Sequence, residues 1–171
     1  MLTTRKLNPF SRQVFISMIH TLTNRQTVPA SLEEVWNFFS RPGNLNRITP
    51  PSLHFRILSG EEPSTYAGQI IRYSIRILPF IRVQWLTEIK HVVALSSFVD
   101  EQRLGPYKLW YHHHQFIPVK DGVEIVDTVH YAIGYSLLGD LVHRLWLRQR
   151  LEYIFSYRQE VISRLFAGCR E

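Results

Sequence analysis

The stretch FVDEQRLGPYKLWYHHHQF, residues 98–116, reads as two strands and the turn between them. Gly105, Pro106 and Tyr107 supply the turn, because glycine reaches backbone angles closed to other residues and proline presets a bend. Side chains alternate on either side of it. Phe98, Asp100, Gln102 and Leu104 share one face of the first strand, and Trp110, His112, His114 and Phe116 share one face of the second. Leu109 and Tyr111 fall on the other face of the second strand, so alternation alone admits either orientation there. A three-residue loop at 105–107 sets Leu104 opposite Lys108, Gln102 opposite Trp110, Asp100 opposite His112 and Phe98 opposite His114.

The same period of two continues outward. After a turn at Lys120-Asp121-Gly122, Val123, Ile125, Asp127, Val129, Tyr131 and Ile133 oppose Glu124, Thr128 and His130, with Val126 and Ala132 apolar on the outer side. Either plausible register of this hairpin sets Asp127 opposite His114 or one pair away, opposite Phe116. Upstream, Ile71, Tyr73, Ile75 and Ile77 oppose Arg72, Ser74 and Arg76. A turn at Leu78-Pro79-Phe80 then leads into Ile81, Val83, Trp85, Thr87 and Ile89, set against Arg82, Gln84, Glu88 and Lys90, with Leu86 an outward exception. A shorter run sets Leu53, Phe55 and Ile57 against His54 and Arg56.

Residues 14–28 suit a strand that Pro29 stops. Ser31 and Glu34 then form a capping box, and Leu32, Val35, Trp36 and Phe39 recur at helical spacing. Pro42, Gly43, Pro50 and Pro51 mark a turn-rich connector with a short helix anchored by Leu45 and Ile48. After Gly134 the period changes. A long helix is expected from Asp140 to Phe166, capped near Gly139-Asp140, with Leu147, Leu151, Ile154, Phe155, Val161, Ile162 and Leu165 as its apolar stripe. Arg144, Arg148, Arg150 and Arg164 are expected on its other side. The fold class is α+β: a curved antiparallel sheet of about seven strands around a long C-terminal helix, with two short helices after the first strand. A cavity between sheet and helix follows naturally from such curvature.

The 171 residues suit one domain, expected over 14–167, with a flexible tail or a short targeting signal at 1–13 and a C-terminal tail at 168–171. Hydrophobic residues make up 45% and charged residues 20%, the balance of a soluble globular protein. The single cysteine, Cys169, excludes an internal disulfide and fits a reducing, cytoplasmic setting. The net charge of +6 is spread along the chain with no nucleic-acid-binding module, so nucleic acid is not expected as a partner. Arg72, Arg76, Arg82 and Tyr111 on the outer face suggest peripheral contact with a membrane or another anionic surface.

Polar side chains on an otherwise apolar face are the functional clue. Thr87, Asp100, Gln102, His112, His114, Asp127 and Tyr131 share that face with Trp, Ile, Val and Phe, and an unpaired buried carboxylate is costly. Register predicts a hydrogen-bonded chain Asp100, His112, His114, Asp127 across three strands, surrounded by Trp85, Trp110 and Tyr131. Such a network fixes strand register, orients the polar head of a ligand, or moves protons as a His/Asp pair. The His-x-His spacing also aims two imidazoles one way, as metal ligands are aimed, while His113 faces outward.

These residues resemble the SRPBCC branch of the START and birch-allergen helix-grip superfamily. The resemblance covers roughly residues 14–167 and is closest to small bacterial ligand-binding members. The pattern W-x-T-x-I falls on Trp85, Thr87 and Ile89. F-x-D-x-Q-x-x-G-P-Y falls on Phe98, Asp100, Gln102, Gly105, Pro106 and Tyr107. W-x-H-x-H-x-F falls on Trp110, His112, His114 and Phe116, and D-x-V-x-Y on Asp127, Val129 and Tyr131. The resemblance keeps Trp110, His112, His114 and Phe116 on one face. This chain departs from the pattern at Leu109, Tyr111 and His113, which make its outer face more apolar.

Members of this superfamily bind lipids, sterols, quinones or polyketides, and some are cyclases or dehydratases. The resemblance therefore implies a cavity for a small hydrophobic molecule. The expected lining is Tyr73, Trp85, Thr87, Asp100 and Gln102, together with Trp110, His112, His114, Asp127 and Tyr131. Its mouth is expected between the 41–52 connector, the Pro79 turn and the long helix. No cofactor or metal is implied. The rival expectation is a cyclase- or dehydratase-like enzyme, with His112 or His114 as general base and Asp127 orienting it.

Overall fold

Hydrogen-bonded pairing joins the strands into a single sheet. A computed structural model of the protein describes residues 18–78, 80–134 and 146–168. The strands are β1 (His20–Val28), β2 (Arg56–Ser59), β3 (Ile70–Leu78), β4 (Ile81–Val93), β5 (Ser97–Leu104), β6 (Leu109–Val119) and β7 (Gly122–Ala132). They form one seven-stranded antiparallel sheet in the order β1-β7-β6-β5-β4-β3-β2. Helix α1 (Leu32–Phe39) and two 3-10 turns, Pro42–Asn46 and Pro51–Leu53, lie between β1 and β2, and helix α2 (Arg148–Phe166) follows the sheet. This is the expected α+β architecture.

Helix α1 starts where the capping box places it. The Ser31 hydroxyl accepts from the Glu34 backbone N–H at 3.3 Å, and the Glu34 carboxylate accepts from the Ser31 N–H at 2.8 Å. Its buried Val35 and Trp36 turn onto the sheet, where the Trp36 ring meets Phe98 and Phe116 edge-on at 6.1 and 5.8 Å. Helix α2 buries Leu151, Phe155, Ile162 and Phe166. Gln26 of β1 fastens it by donating to the Gln159 carbonyl at 2.8 Å and the Ser163 hydroxyl at 2.7 Å. Among the described residues, no helix is long and apolar enough to cross a membrane.

The outer face carries its charges in pairs, such as Lys90 with Glu101 at 2.7 Å and Arg103 with Glu88 at 3.2 Å. It also buries Val99 and Val126. Val126 lies between Arg25 and Gln115 in neighbouring strands, and Val99 between Lys90 and His113, so longer polar side chains flank each valine.

Several sequence expectations are corrected in detail. The first strand begins at His20, not Val14: His20 pairs with Tyr131, close to where its partner β7 ends at Ala132, and residues 14–17 lie outside the described part. The run from Leu53 becomes a strand only at Arg56, because His54 adopts a left-handed conformation (φ 43°) that closes a 3-10 turn. Leu104 is 67% exposed and does not join the inner face. Thr87 pairs with Gln102 but Leu86 pairs with Leu104, so one extra residue, Arg103, bulges out and turns Leu104 to the outer side beside Leu86. The β6–β7 loop contains two residues, Lys120 and Asp121, and Gly122 already pairs with Val119. Only glycine fits at that position, since φ is 136° and a Cβ would lie 2.0 Å from the Val28 carbonyl oxygen. The expected helix cap at Gly139-Asp140, Arg144, the Pro79 turn and both tails beyond Gly168 and before Met18 lie outside the described residues.

Candidate functional site

Three strands bring the polar ring together. The β5–β6 register places Asp100 opposite His112, and the β6–β7 register places His114 opposite Asp127. Because all four side chains rise from one face, each imidazole reaches the carboxylate directly across from it and the one diagonal to it. His112 Nδ1 lies 3.2 Å from Asp100 Oδ2, and its Nε2 donates to Asp127 Oδ1 at 3.1 Å. His114 Nε2 donates to Asp100 Oδ2 at 3.1 Å. Its Nδ1 lies 2.7 Å from Asp127 Oδ1 but off the line of a directed hydrogen bond.

The expected chain is thus a closed ring. No bond joins His112 to His114, because all four imidazole nitrogens face carboxylates; the two rings lie against each other at a tilt, with centroids 3.8 Å apart. The Trp110 indole N–H donates to the remaining oxygen of Asp100 at 3.1 Å.

Burial and charge oppose each other throughout the ring. Burial disfavours the imidazolium of His112, yet the Asp100 charge and the bonds to Asp100 and Asp127 outweigh it, and its pKa is pushed up to about 9. Burial likewise opposes the Asp100 carboxylate, but the His112 charge and bonds from His112 and His114 hold it well below the usual carboxylate range. Asp127 is held low in the same way, with the His114 charge the largest factor opposing its burial.

The ring forms part of the wall of a cavity of about 300 Å³. Asp100, His112 and His114 line it, whereas Asp127, 2% exposed, sits behind the histidines. Ile71, Tyr73, Ile75 and Trp85 make much of the apolar sheet wall, with Leu151 and Phe155 of α2 facing them. Connector residues from Arg41 to Thr49 and the hairpin residues Pro106 and Tyr107 complete it among the described residues. Within this wall the Tyr73 and Thr87 hydroxyls bond each other at 2.6 Å. Burial, and then the Asp100 charge, push the Tyr73 phenol up, so it stays neutral.

The other two expected lining residues lie elsewhere. Gln102 turns onto its own hairpin, donating to the Tyr107 carbonyl at 2.6 Å and accepting from the Tyr107 N–H at 3.2 Å. Tyr131 is buried between the Tyr107 and Trp110 rings, 6.2 and 6.3 Å away, outside the cavity lining. Arg150, expected on the other side of α2, lines the cavity, and sequence reading missed Arg158, which lines it from the same helix. The available signal was its spacing, three residues after Phe155 and four before Ile162, on the apolar stripe.

Asp100, His112 and His114 also bring a carboxylate oxygen and two imidazole nitrogens within 4.8 Å of one another. A divalent cation there would take the two nitrogens now facing Asp100 and leave the other two on Asp127, an outer carboxylate that orients both rings. Metal and protons would therefore compete for the same atoms.

No protein-family model matches the sequence, and no curated protein matches it. Solved structures do. A protein from Chromobacterium violaceum aligns with a TM-score of 0.66 at 12% identity, over 86% of this chain and 97% of that one. Norcoclaurine synthase from Thalictrum flavum aligns with a TM-score of 0.64 at 17% identity, over 98% and 97% of the two chains. Ara h 8.0201 aligns at 0.58 with 16% identity, over 85% and 99%. The fold is the helix grip. At these identities the likeness carries the arrangement of sheet and helix, and function must be argued from the residues that the helix-grip frame brings together.

Proposed function

We propose that this helix-grip protein binds a small, largely apolar molecule, of lipid-, quinone- or polyketide-like character, between the sheet and helix α2. The observation that carries the reading is the cavity of about 300 Å³, walled mainly by aliphatic and aromatic side chains with a few polar groups set among them. That combination is what ligand sites use: apolar area for affinity and a few fixed polar atoms for orientation. The His/Asp ring suits the second role because its members are held by one another and keep their positions in the empty protein.

Native mass spectrometry of the protein as isolated tests this reading. A non-covalent adduct of small-molecule mass, or saturable binding from a panel of apolar compounds, supports it. Failure to retain or bind any member of such a panel contradicts it.

A catalytic reading also has an observation in its favour, since His112 lines the cavity and norcoclaurine synthase, an enzyme, shares the fold. The ring alters the form that such a reading takes. With its pKa near 9 and both nitrogens facing carboxylates, His112 holds its proton at neutral pH and would serve as a general acid before a general base. If the site is catalytic, His112→Gln abolishes turnover of a bound substrate while its binding persists; unchanged turnover contradicts catalysis.

A further inference from the structure

Arg158 occupies a position that the rest of α2 gives to apolar side chains. Leu151, Phe155, Ile162 and Phe166 are buried along one stripe, and Arg158 falls within it, so its side chain reaches the cavity wall. Its Nε is shielded from solvent and has no hydrogen-bond partner among the described residues. The contact made by its guanidinium is with the Phe155 ring, whose centroid lies 5.3 Å from Cζ. The other described arginines of this helix are accommodated differently. Arg148 pairs with Glu152 at 2.9 Å and Arg164 with Glu160 at 3.5 Å; Arg150, which also lines the cavity, donates to the Arg76 carbonyl at 3.4 Å, and Arg41, the third lining arginine, is an exposed connector residue.

A second donor lining the cavity, on the sheet side, is also unmet. The Trp85 indole nitrogen is buried without an acceptor, in a residue only 7% exposed. Three polar side chains of the sheet wall, in contrast, are engaged. Asp100 faces Trp110, His112 and His114, and the Tyr73 and Thr87 hydroxyls face each other. The cavity therefore presents unmatched donors, one of them a permanent cation, and its carboxylate is already neutralised by the groups around it.

We infer that the ligand carries an anionic head, a carboxylate on a largely apolar body, and that this head seats against Arg158. The inference rests on the cavity reading above and narrows it. A neutral ligand leaves the guanidinium without a counter-charge, whereas a carboxylate matches its fork of N–H donors and meets the shielded Nε of this half-buried side chain.

The test uses a matched pair, dodecanoate and dodecanol, each displacing the uncharged fluorophore N-phenylnaphthylamine from the full chain. The wild type is expected to bind dodecanoate about ten-fold or more tightly than dodecanol, the range of one charge-assisted hydrogen bond. In Arg158→Gln the ratio is expected to fall to about one, and in Arg158→Lys, which keeps the charge without the fork, to lie between. Equal affinities in the wild type, or a preference that survives Arg158→Gln, overturn this inference and leave the cavity reading standing. Absence of binding by fluorophore, acid and alcohol alike overturns both. Should Arg158→Gln fail to fold, the wild-type ratio and Arg158→Lys decide.

Discussion

His112 and His114 lie with their ring centroids 3.8 Å apart and their planes inclined by 40°, and each ring spans the gap between Asp100 and Asp127. The two imidazoles are held in place by carboxylates and not by each other. Each of the four residues has two partners in the ring, so loss of one disturbs both its neighbours.

That arrangement sets a pH profile. Asp100 and Asp127 have depressed pKa values in the folded protein, so their stabilisation is present above the unfolded carboxylate value of about 4 and is lost as pH falls below it. His112 is raised to about 9, so its stabilisation is complete below the unfolded imidazole value of about 6.5 and is lost as pH rises through about 9. Urea unfolding across this range should show greatest stability between about 4.5 and 6.5. The alkaline decline should flatten in His112→Gln; a decline of wild-type steepness in that variant would exclude His112 as its source.

Removing one member of the ring should cost more than removing a surface ion pair. Asp127→Ala leaves both histidines facing a single carboxylate in a buried setting, with an expected loss of about 3–5 kcal/mol in unfolding free energy. Arg25→Ala, which removes an exposed partner of Glu124, should cost at most about 1 kcal/mol. Similar losses for the two would show that the ring contributes little.

Gln102 and the cavity should separate cleanly. Its amide closes the β5–β6 hairpin through two bonds to the Tyr107 backbone, and it does not line the cavity. Gln102→Ala should lower stability by about 1–3 kcal/mol and leave the affinity for an apolar probe within about two-fold. A large loss of affinity in a variant of normal stability would place Gln102 at the ligand.

These particulars show where sequence was informative. The alternation about Gly105 predicted the pairing of Asp100 with His112, because a tight turn fixes register by counting. The following turn left two registers open, and the structure selects the one that sets His114 against Asp127. Leu104 was misplaced because a bulge at Arg103 breaks the count without marking the sequence. The ring escaped notice because a register names neighbours across strands but not the diagonal contacts that side-chain rotamers choose. Arg158 was passed over because arginine on a helix is usually solvated, and only its place on the stripe set it apart.

The central claim is that the space between sheet and α2 is a binding site. It is tested most directly by titrating N-phenylnaphthylamine into the wild type and into Ile75→Trp, a substitution on the cavity wall that narrows the space. The account predicts saturable one-to-one binding by the wild type and clearly weaker binding by the narrowed variant, whose melting temperature should be no lower than about 3 °C below wild type. Equal binding by a folded Ile75→Trp, or no binding by either protein, would contradict it.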